Sequence, residues 1–191
     1  MRYPGEMRER MPHKVWTSGF ENLHGLFTPW RLRWYPRAYL FALGAAFIIA
    51  VFTGEGASTL SGRLGGDYPA FYCAGRIIAE GNGTHLYDSG VQATMQEGLF
   101  PGKDKLFMPF PYPPFVAALY SPLSLVNYRL SYVIHTIVLT AAVFLSVWLL
   151  RPINEQIQKH YLFFVCIALS FYPMLKAVMG GQNTAVTFLL I

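Results

Sequence analysis

YVIHTIVLTAAVFLSVWLL, residues 132–150, runs from end to end without a charged side chain. Its length falls within the roughly 17 to 25 residues with which an α-helix crosses the apolar core of a bilayer. Inside lipid the backbone must satisfy its own N–H and C=O groups, and a helix does this within one segment. AYLFALGAAFIIAVFT, residues 38–53, has the same character. A third stretch, residues 161–178, is apolar except for Lys176 and contains Pro173, which neighbouring helices can accommodate in a membrane. TAVTFLLI, residues 184–191, opens a further apolar run and stops. Half a helix in lipid leaves carbonyls without partners, so the expectation is an amino-terminal fragment of a longer chain.

Composition agrees with a membrane protein. Of 191 residues, 53% are hydrophobic, 16% aromatic and only 13% charged, outside the balance of soluble domains. The net charge of +5 is concentrated before the first span, where Arg2, Arg8, Arg10, Lys14, Arg31, Arg33 and Arg37 outnumber Glu6, Glu9 and Glu21. By the positive-inside tendency residues 1–37 form a cytoplasmic basic tail, and residues 38–191 form the membrane domain. Trp30, Trp34, Tyr35 and Tyr39 suit an aromatic belt at the inner interface. The tail has no stacking, zinc-finger or helix-turn-helix pattern, which argues against a nucleic-acid partner. It is also too long for the charged region of a signal peptide. Cys73 and Cys166 have neither a disulfide framework nor metal-ligand spacing around them. Asn82-Gly83-Thr84 matches the glycosylation triplet, a degenerate signal.

Between the first two clear spans lies residues 54–129, expected on the exoplasmic side. Within it, residues 69–80 read as a short amphipathic helix. Phe71, Ala74 and Ile78 fall on one side, while Tyr68, Tyr72 and Arg76 recur at every fourth residue on another. Gly81 is placed to end it, and Asp67 to meet its dipole. Residues 115–126 are too short to span comfortably and contain Pro122, so they read as an interfacial or re-entrant helix. With no crossing there, Arg151 and Lys159 fall in the cytoplasm, and residues 161–178 run outward to Gly181-Gln182-Asn183, on the same surface as Asp67. The expected fold is an all-α, multi-pass membrane bundle with short interfacial helices in its first exoplasmic loop. The expected location is a bacterial plasma membrane, with the amino terminus in the cytoplasm.

Four features gather on that surface: Asp67 within GGDYPAFYCAG (residues 65–75), Leu86-Tyr87-Asp88, Tyr112-Pro113-Pro114-Phe115 followed by Pro122-Leu123, and Gly181-Gln182-Asn183. Their order and spacing resemble the amino-terminal half of the polyprenol-phosphate-mannose-dependent glycosyltransferases of family 87, which have the GT-C membrane architecture. The resemblance covers roughly residues 67–183. It implies a hexosyltransferase, mannosyl by expectation, that takes its sugar from a polyprenyl-phosphate donor and passes it to a glycan or glycolipid acceptor, with membrane lipids around it. It further implies that a carboxylate in the first exoplasmic loop is the general base of an inverting attack. Asp67 is the matching position.

The chemistry of the residues is compatible with this. Attack on an anomeric carbon needs a group that takes the acceptor's proton, and Asp67 can do so whether or not it also caps the following helix. The departing phosphate needs cationic or hydrogen-bonding partners. Lys176 near a span end is one candidate, with snorkelling to the interface as its plainer role. Arg76 is another, with lipid headgroups as the plainer contact. Gln182 and Asn183 are candidates for sugar hydroxyls or simply a polar turn. Tyr68, Tyr72 and Tyr112 are candidates for stacking on sugar or lining the lipid, although interfacial aromatics are commonly anchors. Tyr87 reads more simply as an anchor, Asp88 as a turn former with Ser89-Gly90, and Lys103 and Lys105 as solvated. His135, inside a span, reads as a neutral imidazole bonded to a neighbouring helix. No carboxylate cluster or DxD triplet suggests a metal, no P-loop or GxGxxG suggests a nucleotide, and no cofactor is expected. Two competing expectations are a transporter or flippase subunit with polar residues in broken helices, and a noncatalytic fragment that retains family motifs.

Overall fold

The computed structural model describes residues 28–53, 64–101 and 107–190. Most of the basic tail, residues 1–27, lies outside the described residues, as do loop residues 54–63 and 102–106 with Lys103 and Lys105. Among the described residues all regular structure is helical.

The long spans form for the reason their composition gives. α1 is Pro29–Thr53. It begins well before the apolar run and takes Trp30, Arg31, Arg33, Trp34 and Arg37 into its first turns, with the Arg37 guanidinium 5.9 Å from the centre of the Trp34 ring. α2 is Tyr68–Ala79, α3 Ser89–Leu99 and α4 Pro114–Ser124. The second span, α5, is Tyr128–Leu149, capped by the Asn127 side chain, which accepts from Leu130 N. After the short α6, Glu155–Lys159, come α7, Tyr161–Ser170, α8, Tyr172–Met179, and α9, Thr184–Leu190. α1 and α5 are each long and apolar enough to cross a membrane. Only 6% of the most apolar stretch of α1 is buried against 50% of that of α5, so α5 is central and α1, packed chiefly on α7, is peripheral.

The third expected span is not one straight helix. α7 and α8 meet at an 80° bend. Pro173 has no N–H to continue the ladder and its ring would strike the preceding turn. The helix therefore stops at Phe171, which is extended at φ −65° and ψ 109°, and restarts with proline in its first turn, where no N–H is needed.

Helix α2 is also not amphipathic in the way its spacing predicts. Tyr68, Phe71, Tyr72, Cys73, Ala74 and Ile77 are all buried, so its first turns are enclosed on every side. Helix α4 lies so close that a Cβ on Gly75 would stand 2.7 Å from the backbone of Tyr120. Tyr72 and Arg76, one turn apart, reach the end of α4, where Tyr72 Oη donates to Val126 O at 2.8 Å and Arg76 Nη1 to Ser124 O at 3.2 Å. They satisfy carbonyls that a helix end leaves without internal partners. Arg76 Nε also pairs with Glu80 at 2.6 Å.

Helix α3 gives little apolar signal in the sequence because two of its inward residues are glutamines. Gln92 and Gln96 are almost wholly buried, one turn apart. Gln96 accepts from Met108 N at 3.1 Å and donates to Met108 O at 2.7 Å. Gln92 accepts from Phe110 N at 2.9 Å and donates to Leu86 O at 2.5 Å. The two amides pair with alternate residues of an extended segment much as a neighbouring β-strand would. Asp88, expected to form a turn, caps α3 by accepting from Gly90 N at 2.8 Å and Val91 N at 3.2 Å.

Two cores result. One, around α2, is aromatic, with Tyr68, Phe71, Tyr120 and Tyr132 at its centre. The other, between α5, α7 and α8, is aliphatic, with Leu139, Val143, Val165 and Leu169.

Candidate functional site

Two glycine turns meet at Asp67. The first is Gly65-Gly66, with φ values of +90° and +53° that only glycine adopts readily. Tyr128 Oη donates to Leu64 O at 2.6 Å and occupies the space a Gly65 side chain would need. The second follows α8. Gln182 N donates to Ala177 O at 2.8 Å across Gly181, whose φ is +72°, closing the helix with a six-to-one bond.

Backbone and side chain both join the two turns. Asp67 N donates to Gly180 O at 2.8 Å, and Gln182 Nε2 donates to Asp67 Oδ2 at 2.7 Å. A Cβ at Gly181 would lie 2.6 Å from Tyr68 Cβ, so the chains approach as closely as glycine permits. Asp67 precedes α2 without a side-chain cap bond to it, which leaves its carboxylate, half-buried, to the Gln182 amide.

The platform below is held by α4 and α5. Tyr68 is 0% exposed; its hydroxyl shares a 2.5 Å hydrogen bond with Ser131, and its ring stacks on His135 at 4.5 Å and 21°. Burial pushes the Tyr68 phenol up to about 12, with the Ser131 bond opposing. His135 Nε2 pairs with Gly181 O at 3.3 Å, and Tyr132 Oη donates to Met179 O at 2.6 Å. Tyr120 Oη donates to Asn183 Oδ1 at 2.9 Å. Carbonyls at the end of α8 are thereby satisfied by side chains from a spanning helix.

The expected site residues thus divide. Asp67 and Gln182 touch, and Gln182 is exposed. Asn183 stands beside them, locked by Tyr120, and its backbone carbonyl accepts from Val186 N and Thr187 N in the first turn of α9. Lys176 is in the last turn of α8, half-buried, with its ammonium 5.9 Å from the Tyr172 ring centre. Tyr68 lies beneath, closed off from the surface. Tyr72 and Arg76 bond to the end of α4, away from Asp67. The ring of Tyr112 packs on Phe71 at 5.0 Å, and its carbonyl accepts from Tyr87 Oη at 2.9 Å. Tyr120, Tyr132 and Ser131 have structural parts in the site that the sequence reading missed. The recurrence of Tyr128, Ser131, Tyr132 and His135 on one helical side was the available signal.

Beside α8 an apolar groove of about 440 Å³ opens between α1, α5 and α7, with Leu40, Phe47, Ile137, Phe144, Leu169 and Met179 on its walls. Met179, on its wall, is the chain neighbour of Gly180, whose carbonyl accepts from Asp67 N. Among the described residues no group of three His, Cys, Asp or Glu side chains gathers to hold a metal.

Apolar spanning helices that carry a polar, glycine-built site at one end define a helical membrane protein. Residues 110–191, from the start of the proline-rich segment through α9, match the model of Glycosyltransferase family 87. That stretch contains Tyr112, Lys176, Gln182 and Asn183, while Asp67, Tyr68, Tyr72 and Arg76 precede it. Over that stretch the chain is similar to the family, and its two long apolar helices agree with a membrane protein. No curated protein and no solved structure matches the chain.

Proposed function

We propose that the protein transfers a hexose, mannose by the family resemblance, from a polyprenyl-phosphate donor to a hydroxyl of a glycan or glycolipid acceptor on the exoplasmic face of the membrane. Asp67 is the general base of an inverting displacement. The observation that carries this is the Asp67–Gln182 contact. It puts a surface carboxylate from the first loop against the turn that lies inside the family match.

The chemistry follows from this placement. Asp67 takes the acceptor's proton as the acceptor oxygen bonds to the anomeric carbon. The sugar–phosphate bond breaks and its electron pair leaves with the polyprenyl phosphate. Lys176, near the end of α8, is the cation for that phosphate. The apolar groove with Met179 on its wall suits the start of a polyprenyl tail. Residues 1–37 remain a cytoplasmic tail and residues 38–191 the membrane domain in this reading.

The 80° break between α7 and α8 favours one other reading, a transporter or flippase subunit, because broken helices carry substrate sites in such proteins. One assay separates them. Membranes containing the protein are incubated with polyprenyl-phosphate mannose labelled in the sugar, and transfer to membrane glycolipids is measured. Asp67→Asn should lower transfer by about 10²- to 10⁴-fold, the range of a general base, with membrane insertion unchanged. Full transfer by Asp67→Asn would end the assignment of the base.

A further inference from the structure

We infer that Gln182 is a positioning residue: its amide fixes Asp67 Oδ2 so that Oδ1 faces the acceptor hydroxyl. This rests on the reading of Asp67 as the base.

The geometry singles out Gln182. Four other groups of its turn are already engaged: Gly180 O by Asp67 N, Gly181 O by His135, Asn183 Oδ1 by Tyr120, and Gln182 N by Ala177 O. Gly181 sits against Tyr68 with no room for a side chain, so the turn cannot slide along α2. Its one exposed side chain is thereby aimed at the carboxylate, 2.7 Å away. Asp67 makes no cap bond to α2, and this amide is the side-chain bond that restrains its carboxylate. A carboxylate free to turn about its side-chain torsions spends little time aligned with a given hydroxyl. Holding one oxygen removes that freedom. A neutral amide does so without the opposite charge that Lys or Arg would bring, which would compete for the electron pair that takes the proton.

In the step itself the acceptor O–H proton passes to Asp67 Oδ1, and the acceptor oxygen bonds to the anomeric carbon. The bond from that carbon to the phosphate oxygen breaks, and the pair leaves on the polyprenyl phosphate. The proton on Asp67 is then lost to water. Gln182 keeps its atoms throughout and touches neither sugar nor phosphate.

The test is steady-state transfer from polyprenyl-phosphate mannose by membranes containing the whole chain. Three variants are compared: Gln182→Ala, Gln182→Asn, one methylene too short, and Gln182→Glu, of equal reach but with a carboxylate for the donor. Each should lower kcat about 10- to 100-fold, the effect of a small misplacement of a reacting group, with the donor KM within twofold. In an Asp67→Asn background the same substitutions should cost nothing further, because Gln182 acts through Asp67. A raised donor KM with kcat retained would make Gln182 a sugar ligand and overturn the inference. Unchanged kinetics in all three variants, with Asp67→Asn inactive, would overturn it and leave the base in place. Full activity of Asp67→Asn, or wild-type transfer no greater than that of Asp67→Asn, would overturn both.

Discussion

Gln182 and Asp67 stand 115 residues apart in the chain and share a 2.7 Å hydrogen bond. The contact exists because Gly181 lets one backbone pass beside Tyr68 and because the Gly180 carbonyl receives the Asp67 N–H. Anything that widens that approach separates the two side chains.

Gly181→Ala should do so. Its φ of +72° costs a side-chain-bearing residue about 1–3 kcal/mol, and the new methyl would meet Tyr68 Cβ at 2.6 Å. A lower unfolding temperature in detergent is expected. Paired cysteines at positions 67 and 182 should cross-link more slowly in the Gly181→Ala background than in the parent. Gly98→Ala, on open surface, should leave both readouts as they are.

The buried glutamines make a second prediction. Gln96→Leu keeps the volume but leaves both polar groups of Met108 without their partner, at about 1–3 kcal/mol for each unsatisfied group. Proteolysis between α3 and α4 should accelerate, whereas Glu97→Gln on the exposed side should not change it. Resistance equal to that of the parent would show that water replaces the lost amide.

Stability should fall at high pH. Burial pushes the Cys73 thiol from 9.0 up to about 12 and the Tyr68 phenol from 10.0 up to about 12. Both groups fold neutral, so their contribution is complete below pH 9 and is lost as pH rises from 9 to 12, where the unfolded chain ionises first. Unfolding midpoints measured across that window should decline, and Cys73→Ala should flatten the part of the slope that starts near pH 9. A decline identical in Cys73→Ala would assign that part to other groups.

Sidedness can be tested with the triplet Asn82-Gly83-Thr84. Gly81, φ +78°, ends α2 with Asn82 N bonded to Ile77 O, and residues 81–85 are exposed. In glycosylating microsomes the chain should gain a glycan that Asn82→Gln removes. Gln156→Thr, which completes a triplet at Asn154, should add none in the Asn82→Gln background. The opposite pattern would put Asp67 on the cytoplasmic side and remove the exoplasmic assignment.

The membrane-crossing helices are legible because their signal is local: a long run without charge has one low-energy arrangement in lipid, whatever its neighbours. One helix end was legible for the same reason: Gly81 closes α2 through a positive φ that glycine readily adopts, whereas the matching closure of α8 at Gly181 shows only in the structure. Helix α3 was not, since Gln92 and Gln96 look solvated until Met108 and Phe110 are seen against them. Tyr72 and Arg76 look like surface ligands until the carbonyls of Val126 and Ser124 take them.

What the sequence determined by itself, then, was a helical membrane chain and the glycine stop at Gly81, because hydropathy and backbone permissiveness belong to the residues themselves. The tertiary structure decided which polar residues meet. It bent the third span at Phe171, buried Tyr68 under the turn, and brought Gln182 to Asp67, because a hydrogen-bond partner is chosen by the packing of distant segments and not by the residues on either side.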